Sequence, residues 1–492
     1  MASVKQSLDK DLEKLVHVEA ATRQTASGIV PHGIALVFLG LSAILAGIYA
    51  GITPDAVLTV VAAILGGYMA LNIGANDVAN NVGPAVGSRA LTMFGALIIA
   101  AVFEAAGALL AGGDVVATIS KGIIDPAKVG DGTLFVWAMM AALISSAVWV
   151  NLATVIGAPV STTHAVVGGV LGAGVAAAGF DIVNWTIMSA IAASWIVSPL
   201  LGAGIAAAFL ALIKIKIIYR PDKIAAARRW VPFLIATMAG AFTCYLAIKG
   251  LRRVWRPDTE SVLMISAAAF AFTWVAIHPV IRRQSEGMEN RNQSLRALFR
   301  IPLVCAAALL SFAHGANDLA NAVGPLAAII HSAQAGDIAR TVAVPPWILL
   351  IGAFGISLGL FLYGPKLIRM VGAKITKMNP MRAYCVALSA AITVIVASWL
   401  GLPVSSTHIA VGAVFGVGFF REFFTRRSRH RRAMIGAAAE GEDARSLGPA
   451  ELRHRKLVRR SHLITIVAAW AITVPAAAVL AAAVFAGLSL IR

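Results

Sequence analysis

Charge is what this chain of 492 residues has least of: Asp, Glu, Lys and Arg make up 13% of it, against 59% hydrophobic residues. With a mean hydropathy of +0.83, that scarcity excludes an ordinary soluble domain. Acids are the scarcer sign, 23 against 41 Lys and Arg. The basic excess does not imply a nucleic-acid partner, because the basic residues sit in short segments between apolar runs and not on a polar domain. Cysteine is nearly absent. Cys244, Cys305 and Cys385 are remote from one another in apolar stretches, which argues against a disulfide framework or a cysteine-based metal site. The first 31 residues lack the apolar core of a cleavable signal peptide. A nucleophile elbow, a zinc motif and a phosphate-cradling loop followed by Lys are also missing, so nothing points to an enzyme.

Long apolar runs are abundant. Crossing a bilayer takes roughly 20 apolar residues, and such stretches begin near residues 32, 56, 92, 134, 160, 186, 231, 262, 300, 347, 382, 404 and 462. The expected fold is all-α: a polytopic membrane protein with about 12–13 transmembrane helices, some broken or re-entrant. Basic clusters at Lys214–Arg229, Arg282–Arg300, Lys366–Arg382 and Arg421–Arg460 mark the cytoplasmic face. All fall inside if the N-terminus is inside and each element changes side, which puts the C-terminus outside. Five segments follow: a cytoplasmic stretch 1–31, in which Leu8, Leu12 and Leu15 share one helical face, an extra helix in 32–53, a first repeat 54–213, a connecting region 214–300 with two spans, and a second repeat 301–492. The loop 421–460 carries twelve Lys/Arg against five Asp/Glu and is expected to be a mobile cytoplasmic loop. Trp137, Trp149, Trp185, Trp347 and Trp399 lie toward span ends and read as interfacial anchors.

The repeat is carried by two motifs. Gly74-Ala-Asn-Asp-Val-Ala-Asn80 returns as Gly315-Ala-Asn-Asp-Leu-Ala-Asn321, and both run on to Val-Gly-Pro, at Pro84 and Pro325. Pro159-Val-Ser-Thr-Thr-His164 returns as Pro403-Val-Ser-Ser-Thr-His408, and a weaker pair joins Trp195–Pro199 to Trp470–Pro475. In the charge-derived topology the first copy starts outside and the second inside. Inverted repeats of this kind build secondary transporters, with the substrate site at their interface near the midplane.

Each motif carries its own chemistry. An Asp in the centre of a membrane helix costs roughly 2.5–3.5 kcal/mol on insertion scales, and the chain places one there twice, at Asp77 and Asp318. Asn76 and Asn80, like Asn317 and Asn321, stand four residues apart on one helical face. Flanking Gly and Pro predict a helix break that frees carbonyl oxygens for a hard monovalent cation. Glu104, in a further apolar run, is a third candidate for cation coupling or a structural acid. The hydroxyl triplets Ser161, Thr162, Thr163 and Ser405, Ser406, Thr407 open apolar helices after proline, where first-turn amides lack internal partners. Such groups suit an oxyanion, although Ser and Thr in membrane helices also bond back to carbonyls or join helices. His164 and His408 read as packing residues before proton relays.

These doubled motifs resemble those of the inorganic phosphate transporter (PiT) family, from about residue 54 to the end. The resemblance implies a cation-coupled symporter of inorganic phosphate in the cell inner membrane, a homodimer, with co-transported sodium or proton and no prosthetic cofactor. It implies that phosphate and cations bind among Asn76, Asp77, Asn80, Asn317, Asp318, Asn321 and the two hydroxyl triplets. Ala387 stands where sodium-coupled members carry a second acid, which weakens sodium and leaves protons open. A sulfate permease on the same scaffold, and proton-driven uptake of neutral metal-phosphate complexes, are the rival readings.

Overall fold

The computed structural model describes residues 28–52, 55–129, 132–156, 160–250, 257–335, 344–370, 378–427 and 460–490. The amphipathic face of Leu8, Leu12 and Leu15 and most of the basic loop 421–460 lie outside them. The protein is almost wholly helical, and its described residues contain twelve helices long and apolar enough to cross a membrane. A thirteenth apolar helix, Thr162–Ala178, has 17 residues, at the lower end of what can span. Each run expected from the sequence corresponds to one of these thirteen.

We number the main helices α1 (Gly28–Ala50), α2 (Ala56–Asn76), α3 (Val78–Gly87), α4 (Met93–Ala111), α5 (Gly132–Ile156), α6 (Thr162–Ala178), α7 (Trp185–Ile213), α8 (Lys223–Tyr245), α9 (Thr259–Gln284), α10 (Arg300–Ala335), α11 (Pro346–Met370), α12 (Pro380–Trp399), α13 (Ser406–Arg427) and α14 (Arg460–Ser489). Several start where a polar side chain takes up an orphan amide. Thr92 accepts from the Gly95 N–H, Asn184 from Ile187, Asp222 from Ala225 and Asn379 from Arg382.

Helix α10 is the hub, buried along most of its length and packed against α2, α4, α5 and α12. Helices α1 and α9 lie at the periphery, and α9 leaves Leu263, Phe272 and Val275 exposed, as a lipid-facing helix does. Trp185 and Trp399 are exposed near helix ends, but Trp347 is buried and stacks on Tyr49 at 5.5 Å. It is a packing residue at a helix start and not a free anchor.

Crossings between the two repeats are made at glycine. Helix association in a membrane depends on close van der Waals packing, so small residues mark the contacts. A Cβ on Gly74 would lie 1.9 Å from the Ile356 carbonyl oxygen, and one on Gly315 would lie 2.1 Å from that of Glu104. Gly168 and Gly172 of α6 meet the backbone of α14 in the same way, and their counterparts 244 residues on, Gly412 and Gly416, meet α7. Each repeat therefore packs its motif helices on the other repeat, which brings both sets of polar residues to one place.

The expected helix break is slighter than the Gly and Pro content predicts. In the first copy only Asp77 interrupts the helix, at φ −87°, ψ −35°, and in the second α10 runs unbroken through Gly315–Asn321. Those dihedrals are still helical, and the buried backbone gains nothing from opening further. What proline does remove is a donor: Pro84 and Pro325 withdraw the N–H that would close on the Asn80 and Asn321 carbonyls.

Candidate functional site

The Val160–Thr163 stretch and the second Pro-Val-Ser segment meet at the centre. Helices α5 and α6 form one hairpin and α12 and α13 the other, and the Thr163 hydroxyl donates to the Val404 carbonyl at 3.1 Å. Behind these tips the rings of His164 and His408 lie 4.4 Å apart, and Trp195 packs on His164 at 3.9 Å while donating its indole N–H to the Pro403 carbonyl.

Every polar residue expected at the site is buried. Asp77 receives the Thr162 hydroxyl on Oδ2 at 2.6 Å and the Thr407 hydroxyl on Oδ1 at 3.3 Å. The Ser406 hydroxyl points at Asp318 Oδ2 over 3.4 Å. The second asparagines cross over: Asn80 donates to Thr407 at 2.8 Å, and Asn321 to Thr163 at 3.1 Å and Thr162 at 3.3 Å. Each carboxylate thus faces a hydroxyl of its own repeat, and each of these amides one of the other repeat.

Four of the expected residues also hold the scaffold around the cluster. Asn76 donates to Thr154 at 2.9 Å, and Asn317 donates to Ser398 at 3.0 Å and to the Leu402 carbonyl at 3.2 Å, so these amides hold the hairpins. Ser161 and Ser405 cap α6 and α13 by accepting the N–H of His164 at 3.1 Å and of His408 at 3.3 Å. Their hydroxyl oxygens satisfy helix ends.

Glu104 is one layer removed. Its Oε1 accepts from Asn81 Nδ2 at 2.7 Å and its Oε2 lies 2.6 Å from His314 Nδ1, while His314 Nε2 stands 2.7 Å from Asp318 Oδ2, in an ion-pair contact off the angle of a hydrogen bond. This chain breaks the pseudo-symmetry. At the positions matching His314, Glu104 and Asn81 in the other repeat stand Ile73, Ile356 and Ala322. His314, Asn81, Thr154 and Ser398 were not singled out from the sequence. His314 had a signal, since it directly precedes the second Gly-Ala-Asn-Asp where the first copy has an apolar residue.

The balance of donors and acceptors shows what the cluster lacks. Asp318 Oδ1, Asn321 Oδ1 and Asn81 Oδ1 are buried acceptors without a donor. Ligand atoms of Asp77, His314 and Asp318 lie within 4.8 Å of one another. Three buried acids with one imidazole between them repel at short range in a low dielectric. Surplus oxygen acceptors and surplus negative charge are what a hard cation relieves.

A family model described as "Phosphate transporter family" matches residues 73–481. The chain belongs to the phosphate transporter family. A relative from Helicobacter pylori strain J99, named "Putative phosphate permease", is 45% identical, with 98% of this chain and 99% of that protein covered. Another phosphate permease so described, from Pyrococcus furiosus, is 36% identical over 87% of this chain and 95% of its own length. Among solved structures, one described as "The sodium-dependent phosphate transporter" superposes with a TM-score of 0.78 at 35% identity, over 89% of this chain and all of that one. The protein is a multi-pass membrane member of this family, and its buried polar cluster falls within the matched residues.

Proposed function

We propose that the protein imports inorganic phosphate by symport with a monovalent cation, sodium or proton, through alternating access in the cell inner membrane. The N-terminus is inside and the C-terminus outside, and the two repeats have opposite topology. The observation that carries the reading is one buried cluster holding two carboxylates, orphaned acceptor oxygens, hydroxyls and donor amides. Membership of the phosphate transporter family supports the same substrate, as does the likeness to a solved sodium-dependent phosphate transporter.

Coupling follows from the hydroxyl protons. Thr162, Ser406 and Thr407 point theirs at Asp77 and Asp318. A hydroxyl has one proton and cannot give it to a carboxylate and a phosphate oxygen together. A cation or proton on the carboxylates releases the hydroxyls, with the amides of Asn80 and Asn321, to turn to the anion. The cation therefore precedes the phosphate or arrives with it. Voltage sets the same demand: moving a divalent phosphate against 100 mV, inside negative, costs roughly 4.6 kcal/mol. Phosphate is favoured over sulfate because at neutral pH it keeps a proton to donate to an acid, whereas sulfate offers acceptors alone.

The test is radiolabelled phosphate uptake into proteoliposomes with sodium and proton gradients imposed separately. Accumulation above equilibrium driven by either gradient is expected. Uptake that never exceeds equilibrium would mean a channel, and sulfate uptake without phosphate uptake would overturn the substrate.

A further inference from the structure

A polar joint stands at the tip of the second hairpin, where three parts of the chain meet. Helix α4 of the first repeat is followed by Asp114 and Thr118. Helix α8 of the connecting region runs into a turn of π-helix, Leu246–Gly250, that carries Lys249, and α12 ends at Trp399 just before Gly401. Lys249 Nζ pairs with the Asp114 carboxylate and donates to the Trp399 carbonyl at 3.4 Å. Thr118 donates to the Gly401 carbonyl at 2.7 Å. Gly401 has φ +68°, the left-handed conformation that glycine adopts at no steric cost, and it turns the chain from α12 toward Val404.

The same tip is held from the polar centre. Asn317 donates to Ser398 and to the Leu402 carbonyl, and the Val404 N–H donates to Asn317 Oδ1 at 3.3 Å. The two holds differ in kind. Asn317 is fully buried, whereas the Asp114 side chain is 47% exposed, where water and salt replace an ion pair at small cost. A cavity of about 410 Å³ lies beside Lys249 and Trp399, against the start of α9 at Thr259, so the end of α12 has room to shift. Nor is the joint locked by backbone packing. A Cβ on Gly250 would come within 3.7 Å of Leu110 on α4, an ordinary contact, against 1.9 and 2.1 Å at the Gly74 and Gly315 crossings.

We propose that Lys249 and Asp114 form a latch, opened and closed in each transport cycle, that keeps the tip of the second hairpin shut over the outer side of the phosphate route. The inference rests on the transport reading and its topology, in which α8 leaves the basic cytoplasmic cluster Lys214–Arg229 and ends outside. Both are positioning residues: they act on the site through Trp399 and Gly401, whose neighbours Ser398, Leu402 and Val404 bind Asn317.

Phosphate uptake is to be measured in cells lacking other phosphate transporters, where substrate reaches the protein from outside alone. Without the latch the outward-open state holds a larger share, and apparent affinity rises with that share. Asp114→Asn and Lys249→Gln are each expected to lower the half-saturating phosphate concentration about threefold, within the range of a partly exposed ion pair. The exchanged pair, Asp114→Lys with Lys249→Asp, is expected to restore the wild-type value. General damage to the fold does not improve half-saturation, so the direction separates a latch from a merely structural contact. In a background lacking the three cysteines, Asp114→Cys with Lys249→Cys is to be joined by a short, impermeant, disulfide-forming cross-linker. Joining should stop uptake, and a reductant should restore it. Unchanged or raised half-saturation in both single variants, or full uptake by the joined protein, would overturn the latch. Should the cysteines not join, the half-saturation values decide, and should one single variant not reach the membrane, the other decides. Wild-type cells that take up no phosphate would remove the transport reading itself, a distinct outcome.

Discussion

Asp77 and Asp318 are costly to bury, since each is a buried acid with a ligand oxygen within 4.8 Å of the other's. If they hold the coupling cation, Asp77→Asn and Asp318→Asn should each abolish accumulation while leaving the protein in the membrane. Phosphate uptake normalised to membrane abundance checks this, and wild-type accumulation in both variants would take the acids out of the mechanism. Glu104 pairs with His314, which in turn faces Asp318. Replacing it with Gln removes the charge that faces the imidazole and leaves a weaker partner for Asn81. An impaired charge-assisted bond of this kind is worth ~1–3 kcal/mol, so Glu104→Gln should raise the half-saturating cation concentration about tenfold. The Asn-Asp pairs were legible as a candidate site because buried carboxylates are rare and these are doubled. His314 was not, because a single histidine beside a motif has the same appearance whether it packs or pairs.

At the scale of helices, the pairs α2 with α11 and α10 with α4 are held by backbone contact at glycine. Adding a methyl at Gly74 or Gly315 forces the crossing helix away from a carbonyl 1.9 or 2.1 Å from the new atom. Overpacking of this kind costs typically ~1–3 kcal/mol. Gly74→Ala and Gly315→Ala should therefore lower the melting temperature of the purified protein measurably. Gly204→Ala, on α7 with open space around it, should not. Equal melting of all three would show that the crossings adjust freely. The hairpins are legible in the same partial way. Pro-Val-Ser predicts a helix start, and α13 does begin at Ser406, but the first serine of each triplet serves as the cap. Which hydroxyl caps and which faces the carboxylate depends on helix rotation, which adjacent polar residues do not disclose.

For the whole molecule, the proposed alternating access requires the two repeats to be opposed in orientation. Phe180 and Phe424 are matching positions in the two repeats, just past α6 and near the end of α13. In a background lacking Cys244, Cys305 and Cys385, Phe180→Cys should react with an impermeant thiol reagent from outside and Phe424→Cys only from inside. Labelling of both from one side would contradict inversion. Each repeat lends helices to the other's crossing, so the two share one polar centre.

That the chain lives in a membrane and where its helices lie follow from the order of residues, because composition and apolar run length settle partition into hydrocarbon. Which buried residues meet is a property of the folded molecule. Asn80 reaches Thr407 across 327 positions and Glu104 reaches His314 across 210. Such pairings arise from how helices cross in three dimensions, and no local spacing encodes them.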